Sequence, residues 1–461
     1  MEQAKLDKVI EKLREIVGPE HVLTSYEERY CYSRDATWYR VIPAAVVRPH
    51  TAEEVSKILR LANEYRIPVT PRGSGTSLTG GAVPVEGGIV LDMTRMNRIL
   101  EISVVNRIAV VEPGVLHAEL EEELAKYGLF WPPDPASSAA CTIGGVIAES
   151  AGGLRGARYG TTREWVLGLE VVLPTGEIIR TGARTLKSVT GYDLTHLFIG
   201  SEGTLGVITK AILKVHPLPE AVIRMFASFD RIETAGKAVG KIFENRIVPT
   251  MLEIIDRSFI RSVNEWLKLG LPEVDAIMLI DVEGTREGVE KLAERVERVL
   301  RDVGALEIRR ATTAKEMADL YLARGAAYSS LFRVTGKTVV PDDCCVPVDK
   351  LPQAFKMVRE VSKKWGIPVY ILAHAGDGNF HADWPADAKK PEEIERALKC
   401  YMEVCREVLK LGGSISAEHG IGLVKAKLVE EEYSRKVVEI MRAIKRIFDP
   451  NNIMNPGKIG L

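Results

Sequence analysis

Apolar residues first recur at helical spacing. Leu6, Val9, Ile10, Leu13 and Ile16 share one face and predict an amphipathic helix. The period then shortens. Residues 44–49 (Ala-Ala-Val-Val-Arg-Pro) predict a short strand. Thr51 caps a helix running to about residue 65, with Glu53 and Glu54 in the first turn, where the helix dipole favours acids. Residues 67–70 predict a second strand, stopped by Pro71, and further strands follow at 88–92 and 108–112. This β-α-β-loop-β order predicts an α+β domain with a ligand loop at a strand end. Around 217–221 the glycines thin out and ordinary alternation begins. A strand at 225–229, a helix at 233–245 and a strand at 251–255 are followed by the same order at 276–282, 286–303 and 307–310. Two such units in series predict a ferredoxin-like α+β domain. A helix over 314–332, a strand near 369–374 and a mostly helical C-terminal stretch complete the pattern.

The loop after the second strand reads Arg72-Gly73-Ser74-Gly75-Thr76-Ser77-Leu78-Thr79-Gly80-Gly81, without an acidic side chain. Glycine accepts φ > 0 without steric penalty, so backbone N–H groups can converge into an anion nest. Ser74, Thr76, Ser77 and Thr79 add hydroxyls and Arg72 adds charge; the matching ligand is a pyrophosphate. The loop fits neither G-x-G-x-x-G, since Leu78 stands at the third glycine, nor the P-loop, since Gly81 stands at the lysine. Taken alone it also reads as a flexible hairpin loop. Two more stretches rich in glycine and small residues, 132–153 and 200–206, lie within the next 140 or so positions. Together the three predict one extended dinucleotide in a groove.

Composition narrows the class. With 62 basic and 63 acidic residues there is no basic field for nucleic acid or anionic lipid. Glu2, Asp7 and Glu11 argue against a secretory leader, and no uncharged apolar run approaches the ~18 residues of a membrane span. A cytoplasmic protein is expected, with any membrane association made through a partner. The six cysteines form no C-x-x-C pair, which argues against a cluster or structural zinc held by cysteine.

The segment 370–385 carries His374 and His381 around Asp377-Gly378, a two-residue hairpin signal. Centring the hairpin there predicts that His374 pairs directly with His381, with Cβ atoms about 5 Å apart, suited to two imidazoles on one metal. Glu418, in Ser416-Ala417-Glu418-His419-Gly420, is the third ligand candidate. Two histidines and a carboxylate leave an open coordination position, as in catalytic zinc sites; manganese or iron(II) would accept the same ligands.

Taken in order, 71–81, 132–153, the block from Thr190-Gly191-Tyr192-Asp193-Leu194 to Gly206, 374–381, 418–422 and Asn455-Pro456-Gly457 resemble the FAD-linked D-2-hydroxy-acid dehydrogenase family. This is the branch of the vanillyl-alcohol oxidase fold that holds D-lactate dehydrogenases, glycolate oxidase flavin subunits and D-2-hydroxyglutarate dehydrogenases. The resemblance spans nearly the whole chain. It implies a p-cresol methylhydroxylase (PCMH)-type FAD-binding domain over 1–218, a ferredoxin-like substrate or cap domain over 219–412, and a C-terminal segment, 413–461, returning to the FAD domain. It implies non-covalent FAD, with the pyrophosphate on Arg72, Gly73, Ser74, Gly75, Thr76, Ser77 and Gly80. Pro133, Asp134, Ser137, Thr142, Gly144 and Gly145 would line the cofactor further on, and Glu202, Gly203, Val207, Ile208 and Asn455 would complete its site. One departure is Ser150, where many relatives carry Asn before Ala-Gly-Gly.

The resemblance also implies that His374, His381 and Glu418 bind one divalent metal, that His419 is the catalytic base, and that Arg324 is the cap-helix arginine receiving a substrate carboxylate. The implied reaction oxidises a 2-hydroxy acid such as lactate, glycolate or 2-hydroxyglutarate. A metal on the substrate hydroxyl lowers its pKa and keeps the adjacent His419 neutral and able to accept a proton, while a hydride leaves for flavin N5. Electrons then need a separate acceptor: an iron–sulfur subunit, a quinone, a cytochrome or an electron-transfer flavoprotein. Two other readings stand beside this one, a flavin oxidase of another alcohol using oxygen and a non-catalytic flavin-binding subunit of a larger redox complex. Retention of all four residues His374, His381, Glu418 and His419 favours catalysis.

Overall fold

The computed structural model describes residues 3–461, so Glu2 lies outside the described residues. The chain divides into two units. Unit 1 comprises 1–151, 161–218 and 418–461; unit 2 comprises 152–160 and 219–417.

Unit 1 holds two main sheets besides the short pair of Leu129–Phe130 with His216–Pro217. In the first, β1 (Val22–Leu23), β2 (Ala45–Val47), β3 (Val69–Arg72) and β4 (Ile89–Asp92) lie in the order β1-β2-β4-β3. The last three run parallel. The helix Ala52–Tyr65 makes the β2–β3 crossover. It starts where Thr51 accepts the Glu54 N–H and stops at Arg66, whose φ is +53°. Its face of Val55, Ile58, Leu59 and Ala62 packs with Val9 and Leu13 of the first helix, and with Ile89, Leu91, Ile453 and Met454. Pro71 does not stop β3, which runs on to Arg72. β3 is an edge strand, and an edge tolerates a residue without an N–H. The second sheet is antiparallel, in the order β5 (Ile99–Ser103), β6 (Ile108–Val111), β9 (Val207–Lys214), β7 (Val166–Val172), β8 (Ile178–Gly182).

Unit 2 is built on one antiparallel sheet. β10 (Ala221–Phe229), β11 (Met251–Asp256), β12 (Ala276–Gly284) and β13 (Glu307–Arg310) take the order β13-β10-β12-β11, the ferredoxin-like arrangement. The helices Ile232–Glu244 and Arg286–Val303 follow β10 and β12 in the chain. Beyond β11 the sheet continues through β15 (Tyr370–His374), β16 (Asn379–Ala386) and β14 (Thr338–Pro341). One of its core clusters joins Phe226, Ile255, Ile277 and Leu279 to Phe259, Ile260, Ala323 and Leu331. The helix expected over 314–332 is two helices, Ala314–Gly325 and Ala327–Thr335, broken at Ala326. Among the described residues no helix is long and apolar enough to cross a membrane.

Candidate active site

In unit 1 the glycine-rich stretches converge. The loop after β3 turns at Gly75 (φ +74°) and Gly80 (φ +88°). A Cβ on Gly73 would lie 2.0 Å from Thr142 Oγ1, and one on Gly203 3.1 Å from Pro71. Ser74 Oγ donates to the carbonyl of Ala140 at 2.5 Å. The N–H groups of Gly200 and Glu202 donate to the carbonyls of Ile147 and Ala148. Asn455 Nδ2 donates to the carbonyls of Gly81 (2.9 Å) and Glu202 (2.8 Å). Thr142 Oγ1 is buried with no hydrogen-bond partner among the described residues, as expected for a wall residue whose partner is a ligand. Pro133 and Asp134, earlier in the same stretch, are buried; Ser137 is exposed, and Thr76, Gly144, Gly145 and Ile208 are half-buried. Ser77 is buried, its Oγ 3.4 Å from Thr79 Oγ1. Val207 is buried and opens β9. Two of the residues expected at the cofactor bind backbone groups of the protein. Arg72 Nη1 donates to the carbonyls of Arg34 and Ala82. The Glu202 carboxylate accepts the N–H groups of Ile421 (2.7 Å) and Gly422 (2.8 Å). Burial pushes the Glu202 carboxyl up to about 7 against those two bonds. Ser150 takes the left-handed conformation (φ +52°) at a helix end, a position Asn also suits.

Glu418 and His419 open the third segment of unit 1. His419 Nε2 lies 3.9 Å from a Glu418 oxygen, and the His419 carbonyl accepts Thr79 Oγ1 at 3.0 Å. A Cβ on Gly420 would fall 2.8 Å from Glu202, which fixes the backbone just after the base candidate. The glycine loop and Glu202 therefore hold the Glu418–Gly422 turn from two sides.

Unit 2 brings His374, His381 and Arg324 together, all buried. The two rings stand perpendicular with centroids 5.3 Å apart. They do not pair directly across a two-residue turn: His374 pairs with Asn379, and His381 with Leu372. The turn is four residues long because its first half bonds to the neighbouring strand, Gly376 N–H reaching the Leu252 carbonyl. Its second half folds locally, the Asp377 carboxylate accepting Asn379 N–H at 3.1 Å. The histidines meet diagonally on one face, a spacing long side chains span. His381 Nδ1 donates to the Asp342 carbonyl at 3.0 Å, which fixes the ring proton on Nδ1. Arg324 Nη2 lies 3.2 Å from His374 Nε2. His374 Nδ1 is 2.8 Å from Glu253 Oε1, and Arg324 Nε 2.5 Å from Glu253 Oε2. Burial pushes the Glu253 carboxyl up, but His374 and Arg324 together outweigh it and hold it below the usual range.

Periodicity and motif matching missed Glu253, Asp343 and Asp383. Each left a signal: a lone Glu in the apolar run Met251-Leu252-Glu253-Ile254-Ile255, an Asp-Asp pair closing an apolar strand, and an Asp two places after His381. The Asp343 carboxylate accepts Ser416 Oγ (2.9 Å) and Ala417 N–H (3.0 Å), and lies 4.0 Å from His381 Nδ1. The residues just before Glu418 are thus tied to the carboxylate beside His381. Asp383 Oδ1 and Asn379 Oδ1 are buried without a hydrogen-bond partner among the described residues. Burial pushes the Asp383 carboxyl up to about 7. Two imidazoles amid buried carboxylates suit a divalent cation by donor type.

A mixed sheet with its glycine loop at a parallel strand end, joined in sequence to an extended ferredoxin-like sheet, defines the PCMH-type flavin fold. The comparisons agree. Residues 43–182 match the model of the FAD binding domain, and 218–459 that of the C-terminal domain of FAD linked oxidases. The chain is 41% identical over 453 residues to glycolate oxidase subunit GlcD of Bacillus subtilis, covering 98% of this chain and 96% of the relative. It is 38% identical to a D-lactate dehydrogenase of Archaeoglobus fulgidus, covering 93% and 95%. A solved structure of p-cresol methylhydroxylase superposes with a TM-score of 0.86 at 21% identity, covering 100% of this chain and 97% of that one, a likeness of fold. The chain belongs to the FAD-linked oxidase family, in the branch of the D-2-hydroxy-acid dehydrogenases.

Proposed function

We propose that this protein oxidises a D-2-hydroxy acid of the size of lactate, glycolate or 2-hydroxyglutarate to the 2-keto acid, using non-covalent FAD and one divalent metal ion, and passes the electrons to a separate acceptor. The observation that carries the reading is the buried set in unit 2: two imidazoles with ring centroids 5.3 Å apart and a guanidinium 3.2 Å from one of them. An apolar core has no use for such a set; an anionic substrate with an ionisable hydroxyl does.

The loop 72–81, with Thr142, Gly144, Gly145, Gly203 and Asn455, would hold the dinucleotide, and His374, His381 and Glu418 the metal, zinc by first choice. When bound, the flavin accepts the substrate's hydride and the metal acidifies its hydroxyl. His419 takes the hydroxyl proton, and its place next to Glu418 in the chain keeps acid ligand and base together. Arg324 receives the substrate carboxylate through its forked N–H groups. The acceptor is external because the six cysteines offer no C-x-x-C pair. The relatives whose printed names call them oxidase subunits support an acceptor on another chain.

The test is chelation with an anaerobic substrate screen. The yellow protein should be bleached by one or more D-2-hydroxy acids. A chelator should abolish bleaching without releasing FAD, and zinc or manganese should restore it. Full activity in protein shown by elemental analysis to hold no divalent metal would remove the metal from the reading.

A further inference from the structure

We propose that Glu253 is the positioning residue of this site: a single buried carboxylate sets the tautomer of His374 and the aim of Arg324. The inference rests on the reading that His374 ligates a metal. β11 and β15 are neighbours, and their register sets Glu253 directly against His374. The flanking residues Leu252 and Ile254 are buried aliphatics, and Glu253 itself is 0% exposed. An ionised carboxylate in such a place costs several kcal/mol of desolvation unless its oxygens are matched. They are matched once each: Oε1 faces His374 Nδ1 at 2.8 Å and Oε2 faces Arg324 Nε at 2.5 Å.

The two contacts have separate consequences. A carboxylate only accepts, so the proton between Glu253 and His374 sits on Nδ1, and the imidazole lone pair is on Nε2. Nε2 is then the ligand atom, and the acid behind the ring raises its basicity. Arg324 is bound through Nε, and its Nη2 faces the His374 Nε2 lone pair at 3.2 Å, so a metal taken up on Nε2 displaces this contact and turns the fork toward a neighbouring planar anion. Glutamine at 253 keeps the volume but offers one acceptor and one NH₂. Either His374 or Arg324 must then face a donor.

The experiment uses full-length flavoprotein labelled with ¹⁵N-histidine and stripped of metal. The His374 resonances are assigned by their absence in His374→Ala. Wild type should show a protonated Nδ1 and an unprotonated Nε2. Glu253→Gln should move the proton toward Nε2, weaken zinc or manganese binding by roughly 10–100-fold, the usual effect of losing such an outer partner, and leave flavin content unchanged. Glu253→Gln with the wild-type tautomer and wild-type metal affinity overturns the inference and leaves the metal reading standing. Wild-type protein that binds neither metal overturns the metal reading itself. Should the variant not fold, wild type alone decides: a proton on His374 Nε2 in the metal-free protein overturns the assignment.

Discussion

At the scale of single residues the reading separates binding from chemistry. His374→Ala and Glu418→Ala should each lose metal and activity together. His419→Ala should keep metal and FAD yet slow flavin reduction roughly 10²–10⁴-fold, the usual contribution of a general base. Stopped-flow bleaching with the best substrate measures it, and a rate near wild type would remove His419 from the proton transfer. Arg324→Lys should raise KM and lower kcat while the flavin stays in place. Lysine keeps a charge but cannot reach Glu253 and a carboxylate with one rigid fork. Unchanged kcat/KM would mean that the carboxylate is held elsewhere. The chemistry-bearing residues were legible because their types are rare and clustered: two of the eight histidines seven positions apart, another following Glu418. Their partners were not, because Glu253 and Asp343 come from distant parts of the chain and only the fold brings them to His374 and His381.

At the scale of elements, the β-α-β order over 44–92 and the paired units at 225–255 and 276–310 could be read from periodicity; the strands Val166–Val172, Ile178–Gly182 and Thr338–Pro341 were not, and register could not be. The Asp377-Gly378 dipeptide pointed to a two-residue turn, and Gly376 N–H bonding to the neighbouring strand lengthened it. That is a tertiary contact overriding local turn chemistry. Pro71 within β3 has the same lesson, since edge position is a property of the sheet. The glycine loop is an element whose backbone is its function. Gly75 sits at φ +74°, and a Cβ there would lie 2.0 Å from Arg72 Nη2. Gly75→Asp adds strain, bulk and negative charge at once, and should abolish FAD retention as read by flavin absorbance. The helix Arg257–Leu267 offers a pH test. Its cap, Asp256, accepts Phe259 N–H at 3.0 Å, and burial pushes its carboxyl from 3.8 up to about 6. The folded state holds this proton more tightly than the unfolded chain. The stabilisation is therefore complete below pH ~4 and is lost as pH rises through ~6. Asp256→Asn keeps a capping acceptor. It should flatten the fall in thermal stability between pH 4 and 7, an effect on the order of 3 kcal/mol. An unchanged pH slope would show that another group carries it.

At the scale of the whole molecule, what matters is how the chain is routed. Unit 1 is closed by its last segment, not by its first 218 residues. Val69 N–H donates to the Ile453 carbonyl at 2.7 Å and Asn455 N–H to the Val69 carbonyl at 2.8 Å, so the C-terminal stretch lies along the edge strand that feeds the glycine loop. Ile453 and Met454 are buried in the same cluster as Val69, Ile89 and Leu91, worth about 1.5–3 kcal/mol each in area removed from water. Asn455 ties Gly81 to Glu202, and Lys458 Nζ donates to the Val83 carbonyl at 2.8 Å. These bonds reach across more than 250 positions, so the Asn-Pro-Gly motif at the end of the chain can be seen in the sequence while its task cannot. A chain stopped after Asp449 should therefore fail to retain FAD even with every residue of the glycine loop present. The cluster around Phe226, Ile255 and Phe259, which uses nothing beyond Leu372, should still form. Flavin content after gel filtration reads unit 1, and tryptophan fluorescence during thermal unfolding should keep the transition of Trp266, Trp365 and Trp384 in unit 2 while that of Trp38, Trp131 and Trp165 in unit 1 is lowered. Full flavin occupancy in the shortened chain would show that the loop binds its dinucleotide without the C-terminal clamp.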